Sequence, residues 1–161
     1  MDRQRLVGSI VLLLALAFAP RGASAADVSP QKCARAVDLE GLQTATGAQW
    51  RAQMSAISVS SDRLSCSFLA LSDGTVLNAY VRPDPGGAGE WKTRQALHRD
   101  HMEPVRGIGD DAFFILDKYS GWGLIVRSGD NTFVLTGFPA AKEAQAKTVL
   151  PAMAKSLITF F

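Results

Sequence analysis

Histidine is nearly missing from this sequence, with two in 161 residues, and cysteine is as scarce, also with two. So few imidazoles and thiols exclude zinc sites of three or four cysteines and iron–sulfur ligation by four cysteines. An excess of either charge is missing as well. The chain has 17 basic and 15 acidic residues. Residues 1–25 hold Arg3, Arg5 and Arg21 against Asp2, which leaves 14 of each sign in the remainder. A neutral chain carries no field that draws it to nucleic acid or to an anionic membrane. Beyond residue 25 no apolar run approaches the roughly 20 residues of a bilayer-spanning helix. There is no Gly-x-Ser-x-Gly elbow, no Cys-x-x-Cys pair and no internal repeat.

What is present begins at the first residues. Arg3 and Arg5 precede an almost unbroken apolar run from Leu6 to Ala19, which Pro20 ends. Ala23-Ser24-Ala25 then offers the small side chains that a signal peptidase accepts. The pattern predicts a signal peptide over residues 1–25, cut after Ala25 with a cut after Ala26 as the near alternative, and a single domain over 26–161. The expected location is periplasmic or secreted, with no membrane association after cleavage. About 136 residues then remain, enough for a hydrophobic core of their own. In an oxidising compartment, Cys33 and Cys66 are expected to form one disulfide, which would stabilise the fold by roughly 3–4 kcal/mol through the entropy of the unfolded chain.

Along that domain the punctuation marks alternating element types. Ser29-Pro30 is a helix opening, and Asp38 can cap a short helix from Leu39 to Thr46 that Gly47 ends. From Ile57 the apolar period becomes two: Ile57 and Val59 first, then Leu64, Cys66, Phe68 and Ala70 on one face of a second strand. Ser72-Asp73-Gly74 is a turn, and Thr75 to Val81 is the return strand. Glu90 to Met102 reads as a helix stopped by Pro104. Ala112 to Leu116, Trp122 to Arg127 and Thr132 to Phe138 read as an antiparallel meander joined by turn-rich links. Leu150, Met153, Ala154, Leu157, Ile158 and Phe161 follow helical spacing, and Pro151 predicts a kink or a fresh helix start. The fold class is therefore α+β, an antiparallel sheet of about six strands with helices packed on it, in the order α-βββ-α-βββ-α.

Several of these features together resemble a group of small exported bacterial proteins, best known as actinobacterial lipoproteins of unknown function. The points of likeness are Cys33 before the helix that ends at Gly47, Cys66 in the strand segment Ser65-Cys66-Ser67-Phe68, and the turn Gly107-Ile108-Gly109-Asp110-Asp111-Ala112. This chain departs from the group in having no lipidation box before Cys33. The resemblance implies a PsbP-like α+β fold, a binding and scaffolding fold without catalytic residues.

Candidate sites are few. Gly107-Ile108-Gly109-Asp110 precedes a strand, not a helix N-terminus, so its glycines suit a turn better than a phosphate loop. His98 and His101, beside Asp100 and Glu103, are the only metal-ligand grouping, and two histidines make half a site. Asp110, Asp111 and Asp117 are candidates for a carboxylate pair. Trp91, Tyr119 and Trp122 fall near loop-rich parts of the chain and are candidate interface residues. The expectation is a non-catalytic binding protein, an inhibitor, immunity factor or assembly accessory, whose partner is another exported protein and which needs no cofactor. The alternatives are a metal-handling protein using His98 and His101, and a hydrolase with an unrecognised site.

Overall fold

The computed structural model describes residues 34–54 and 64–161. The leader, its cleavage point, Cys33 and the strand expected at Ile57 lie outside the described residues.

Asp38 opens helix α1 (Leu39–Thr46) by accepting the Gly41 amide at 2.9 Å, and Gly47 closes it at φ 69° with its own N–H on the Gln43 carbonyl. Both caps are the residues that local chemistry selects. Strands β1 (Trp50–Met54), β2 (Leu64–Ala70) and β3 (Val76–Pro83) follow, then helix α2 (Glu90–Leu97). Strands β4 (Met102–Val105), β5 (Asp111–Asp117), β6 (Gly121–Ser128) and β7 (Asn131–Phe138) lead to helix α3 (Glu143–Phe160). The strands form one antiparallel sheet in the order β1-β2-β3-β7-β6-β5-β4. The fold is α+β, as the punctuation predicts, with seven strands among the described residues rather than about six.

Three elements differ from the sequence reading. Strand β1 occupies Trp50–Met54, where none is expected. Its alternation of Trp50, Ala52 and Met54 with Arg51 and Gln53 is real but only five residues long. The helix expected over Glu90 to Met102 ends at Leu97, a single 3-10 turn covers Arg99–His101, and Met102–Val105 is a strand. Pro104 stops nothing here, because β4 is an edge strand of the sheet, where a missing amide hydrogen is tolerated. Met102 pairs with Ile115 and packs on the apolar face beneath α2. Finally, α3 runs through Pro151 as one helix, so no fresh helix starts there, and Ala146, Val149, Leu150, Met153, Ala154 and Leu157 are buried. Burial of that stripe outweighs the hydrogen bond that proline cannot donate.

The period of two sends alternate side chains to two separate cores. On one face Cys66, Phe68, Leu77, Leu124, Phe133 and Leu135 lie under α1 and α3. On the other, Phe113, Ile115, Ile125 and Val134 lie under Trp91 of α2. No helix among the described residues is long and apolar enough to cross a membrane.

One buried carboxylate fixes the approach to α2. Asp84, 3% exposed, accepts the amides of Gly89 at 2.8 Å and Trp91 at 2.7 Å, and the Thr132 hydroxyl at 2.8 Å. Burial pushes its pKa up, but the hydrogen bonds from Trp91, Thr132, Gly89 and Glu90 outweigh that and hold it below the ordinary carboxylate value.

Core packing sets the stability. Leu135, 1% exposed, lies in the middle of β7. Leu135→Ala should lower the unfolding free energy by about 2–5 kcal/mol in denaturant titrations, through lost burial and the cavity left behind. Leu97→Ala, at a residue 67% exposed, should change it by no more than about 0.5 kcal/mol.

Candidate binding site

The antiparallel register gathers several connections at one end of the sheet. These are the turn from β2 to β3, the β5–β6 hairpin tip, the link from β7 to α3, and the C-terminal ends of α1 and α2. An open groove of about 630 Å³ lies there. Its walls come from His101 and the hairpin residues Leu116 to Gly121, and its floor from Gly137, Pro139 and Ala140.

Local chemistry holds the hairpin tip in place. One Asp117 carboxylate oxygen accepts the amides of Tyr119 and Ser120, each at 2.8 Å, and the Ser120 hydroxyl at 3.1 Å. Those bonds keep the Asp117 pKa below its ordinary value, the Ser120 amide contributing most. Gly121, at φ 71°, must be glycine, because a Cβ there would stand 1.9 Å from the Phe138 carbonyl oxygen. The turn thereby thrusts Tyr119 into solvent, 85% exposed, with the Lys118 ammonium 4.5 Å from its ring centroid. Trp122 anchors the opposite side, its indole N–H donating to the Ala140 carbonyl at 3.1 Å.

Exposed apolar side chains concentrate at this end. Among the described residues seven large hydrophobics are exposed, and Leu71, Val76, Leu97, Leu116 and Tyr119 belong to the segments gathered there. The remaining two, Phe160 and Phe161, close α3 at the opposite end and pack on each other, with Phe161 also against Phe133. A second, smaller hollow of about 120 Å³ opens nearby between Trp50, Phe138 and Val149. Its rim carries Asp73, which pairs with Lys142 and takes the Thr75 amide at 2.9 Å, while Lys142 also donates to the Thr75 hydroxyl at 3.0 Å. The hydrogen bond from Lys142, helped by Thr75, lowers the Asp73 pKa from 3.8 to about 2.

Of the aromatic residues singled out in the sequence, only Tyr119 offers its ring to solvent. Trp91 is 6% exposed against Phe113, and Trp122 is 8% exposed, edge-on to Phe114, so both are core residues. They sit near loops in sequence because strand ends also lie under the helices.

The two histidines are not stacked on a helical face. Helix α2 stops at Leu97, and His98 is its C-terminal cap at φ −113°. Burial and the Arg94 guanidinium push the His98 pKa down, Asp117 pulls it up, and His101 adds to the lowering. No group of three His, Cys, Asp or Glu side chains among the described residues is placed to hold a metal ion.

The acidic residues are separated as well. Asp110 accepts the Gly129 amide at 2.8 Å at the far end of β5, and Asp117 closes its near end, roughly 20 Å away at strand rise. Gly107 and Gly109 take φ 77° and 59° in the turn entering β5, and a Cβ on Gly109 would lie 2.4 Å from the Arg127 carbonyl oxygen. They serve a turn, not a phosphate. Cys66 is fully buried in β2, and no free cysteine occurs among the described residues.

The Asp73–Lys142 pair gives a direct test of the electrostatics at this end. A depressed carboxyl pKa contributes stability above the unfolded value, near 4, and that contribution is lost as pH falls toward 2. In a carboxyl NMR titration Asp73 should show a midpoint near 2, and Lys142→Ala should move it up toward 3.8. A midpoint unmoved by that substitution would exclude Lys142 as the cause.

The chain matches no protein-family model, and neither a curated protein nor a solved structure shows significant similarity to it.

Proposed function

We propose that this protein is a non-catalytic binding protein of the periplasm or the extracellular space. It docks another exported protein with the sheet end that carries Tyr119 and Leu116, as an inhibitor, immunity factor or assembly accessory would. One observation carries this reading: two of the seven large hydrophobics exposed among the described residues, Leu116 and Tyr119, line one open groove, and Leu71, Val76 and Leu97 belong to segments at the same end of the sheet. Apolar side chains scattered singly need no explanation, but a cluster around a concavity is the mark of an interaction surface. Tyrosine suits the role, since it buries a large ring at the cost of only two side-chain torsions. The neutral charge of residues 26–161 favours a protein partner over nucleic acid or lipid.

Periplasmic extract passed over the immobilised protein should yield a retained exported protein. Retention should fall at least tenfold for Tyr119→Ser and for Leu116→Ser, with the circular dichroism spectrum unchanged. A partner held equally well by both variants would remove this end of the sheet from the proposal.

The same reading places Cys33 and Cys66 in one disulfide. It is supported by the signal-peptide pattern of residues 1–25 and by the complete burial of Cys66. Protein from the periplasmic fraction should begin at Ala26 or Asp27 and show no titratable thiol when denatured without reductant. Denaturation matters here, because a buried thiol would escape titration in the native state. Two thiols under those conditions would eliminate the bridge.

A further inference from the structure

The two helical layers are fastened to the sheet in unlike ways. Helix α3 sets a six-residue apolar stripe into its face of the sheet. Helix α2 buries one residue, Trp91. The surface under Trp91 is apolar throughout: Phe113, Ile115, Ile125 and Val134 are all at most 5% exposed. Its other fastenings are polar and lie at its N-terminal end. Asp84 receives the Gly89 and Trp91 amides, Glu90 bridges Arg82 at 2.5 Å and Arg94 at 2.7 Å, and the Arg127 guanidinium stands 5.9 Å from the Trp91 ring.

The segment has a joint at each end. Before α2, Gly86 and Gly87 hold φ 62° and 65°, a region glycine enters and leaves without strain. After it, His98 and the single 3-10 turn at Arg99–His101 lead into the short edge strand β4. No strand pairing depends on α2, and the opposite core is completed by α1 and α3.

We propose that α2 is a hinged lid: residues 85–101 open as one unit and lift the Trp91 ring off Phe113, Ile115, Ile125 and Val134 while the sheet stays folded. Regions that open below the global unfolding free energy are those with few buried apolar contacts and solvent-exposed backbone hydrogen bonds. Helix α2 buries a single side chain, and the ties that must break are those of Asp84, of Glu90 with Arg82 and of the Gly86 amide with Asp130. Opening bares an apolar shelf fitted to an indole ring, and so to an aromatic or branched aliphatic group of a ligand. It also moves His101, a wall of the 630 Å³ groove, so lid position and groove shape are linked. The lid stands on the packing of α2 and does not require the docking reading above.

Native-state hydrogen exchange on the intact protein tests it. The amides of Trp91, Thr93 and His98, bonded to Asp84, Gly89 and Arg94, should share one opening constant. That constant should exceed the one for Leu124 and Leu135 at least 100-fold. Leu150→Ala weakens only the opposite core, so it should raise exchange at Leu124 and Leu135 while leaving the three α2 amides unchanged. A common constant for α2 and the sheet, rising together in Leu150→Ala, would overturn the lid. Rates graded along α2 from its C-terminal end would overturn it too, because they describe fraying. If Leu150→Ala does not fold, low denaturant on the wild type decides: the α2 amides must show a shallower dependence than Leu124 and Leu135.

Discussion

Strands β5, β6 and β7 are kept dry on both faces, and the rest of the architecture depends on this. Each carries an unbroken apolar stretch, Phe113-Phe114-Ile115, Leu124-Ile125-Val126 and Phe133-Val134-Leu135, with every one of these side chains buried. Alternation sends the middle residue of each triplet and its two outer residues to opposite sides, so helices on one face alone would leave part of this surface wet. Helices α1 and α3 satisfy one side, and Trp91 of α2 satisfies the other. The chain crosses from one face to the other through the Asp84 loop, which explains why a carboxylate is buried there with three donors aimed at it.

The two faces are consequently unequal. The α1–α3 face is a continuous core of aliphatic and aromatic side chains. The α2 face is apolar only beneath one indole, and elsewhere it carries polar pairs such as Ser67 with Asn78, joined at 2.7 Å across β2 and β3. Stability resides mainly in the first face, and the lesser cover of the second leaves room for movement. Connections crowd one end of the sheet because four of its strands begin or end in tight links there, and that crowding forms the groove.

Most of the fold was legible where a residue has one dominant local role. Asp38 and Gly47 bracket α1 as capping chemistry dictates, and the β5–β6–β7 meander follows from its turns. Pro104 was misleading because proline reads as a helix stop, while an edge strand accepts it equally well, and only the sheet order reveals the edge. Strand β1 was too short for its alternation to stand out beside a helix end. The candidate site was less legible. Tyr119 stands out at a turn, but Trp91 and Trp122 have similar neighbours in sequence and opposite surroundings in space. Asp73–Lys142 and Asp84–Thr132 join residues 69 and 48 positions apart, and no local pattern announces such pairs.

Strand β4 has a further consequence, for self-association. A sheet edge with free amides and carbonyls is a template on which a second sheet can grow. Here that edge is four residues long, includes a proline that lacks an amide hydrogen, and is strapped to α3 by Lys147, whose ammonium meets the Glu103 carboxylate at 2.7 Å. The same ammonium rests 5.3 Å from the Trp122 ring and 6.0 Å from that of Phe114, over the margin of the core. Strand-to-strand polymerisation along this margin is therefore discouraged by the covalent make-up of the edge itself, so apolar side chains can be exposed at the sheet end without inviting fibre growth from the β4 side.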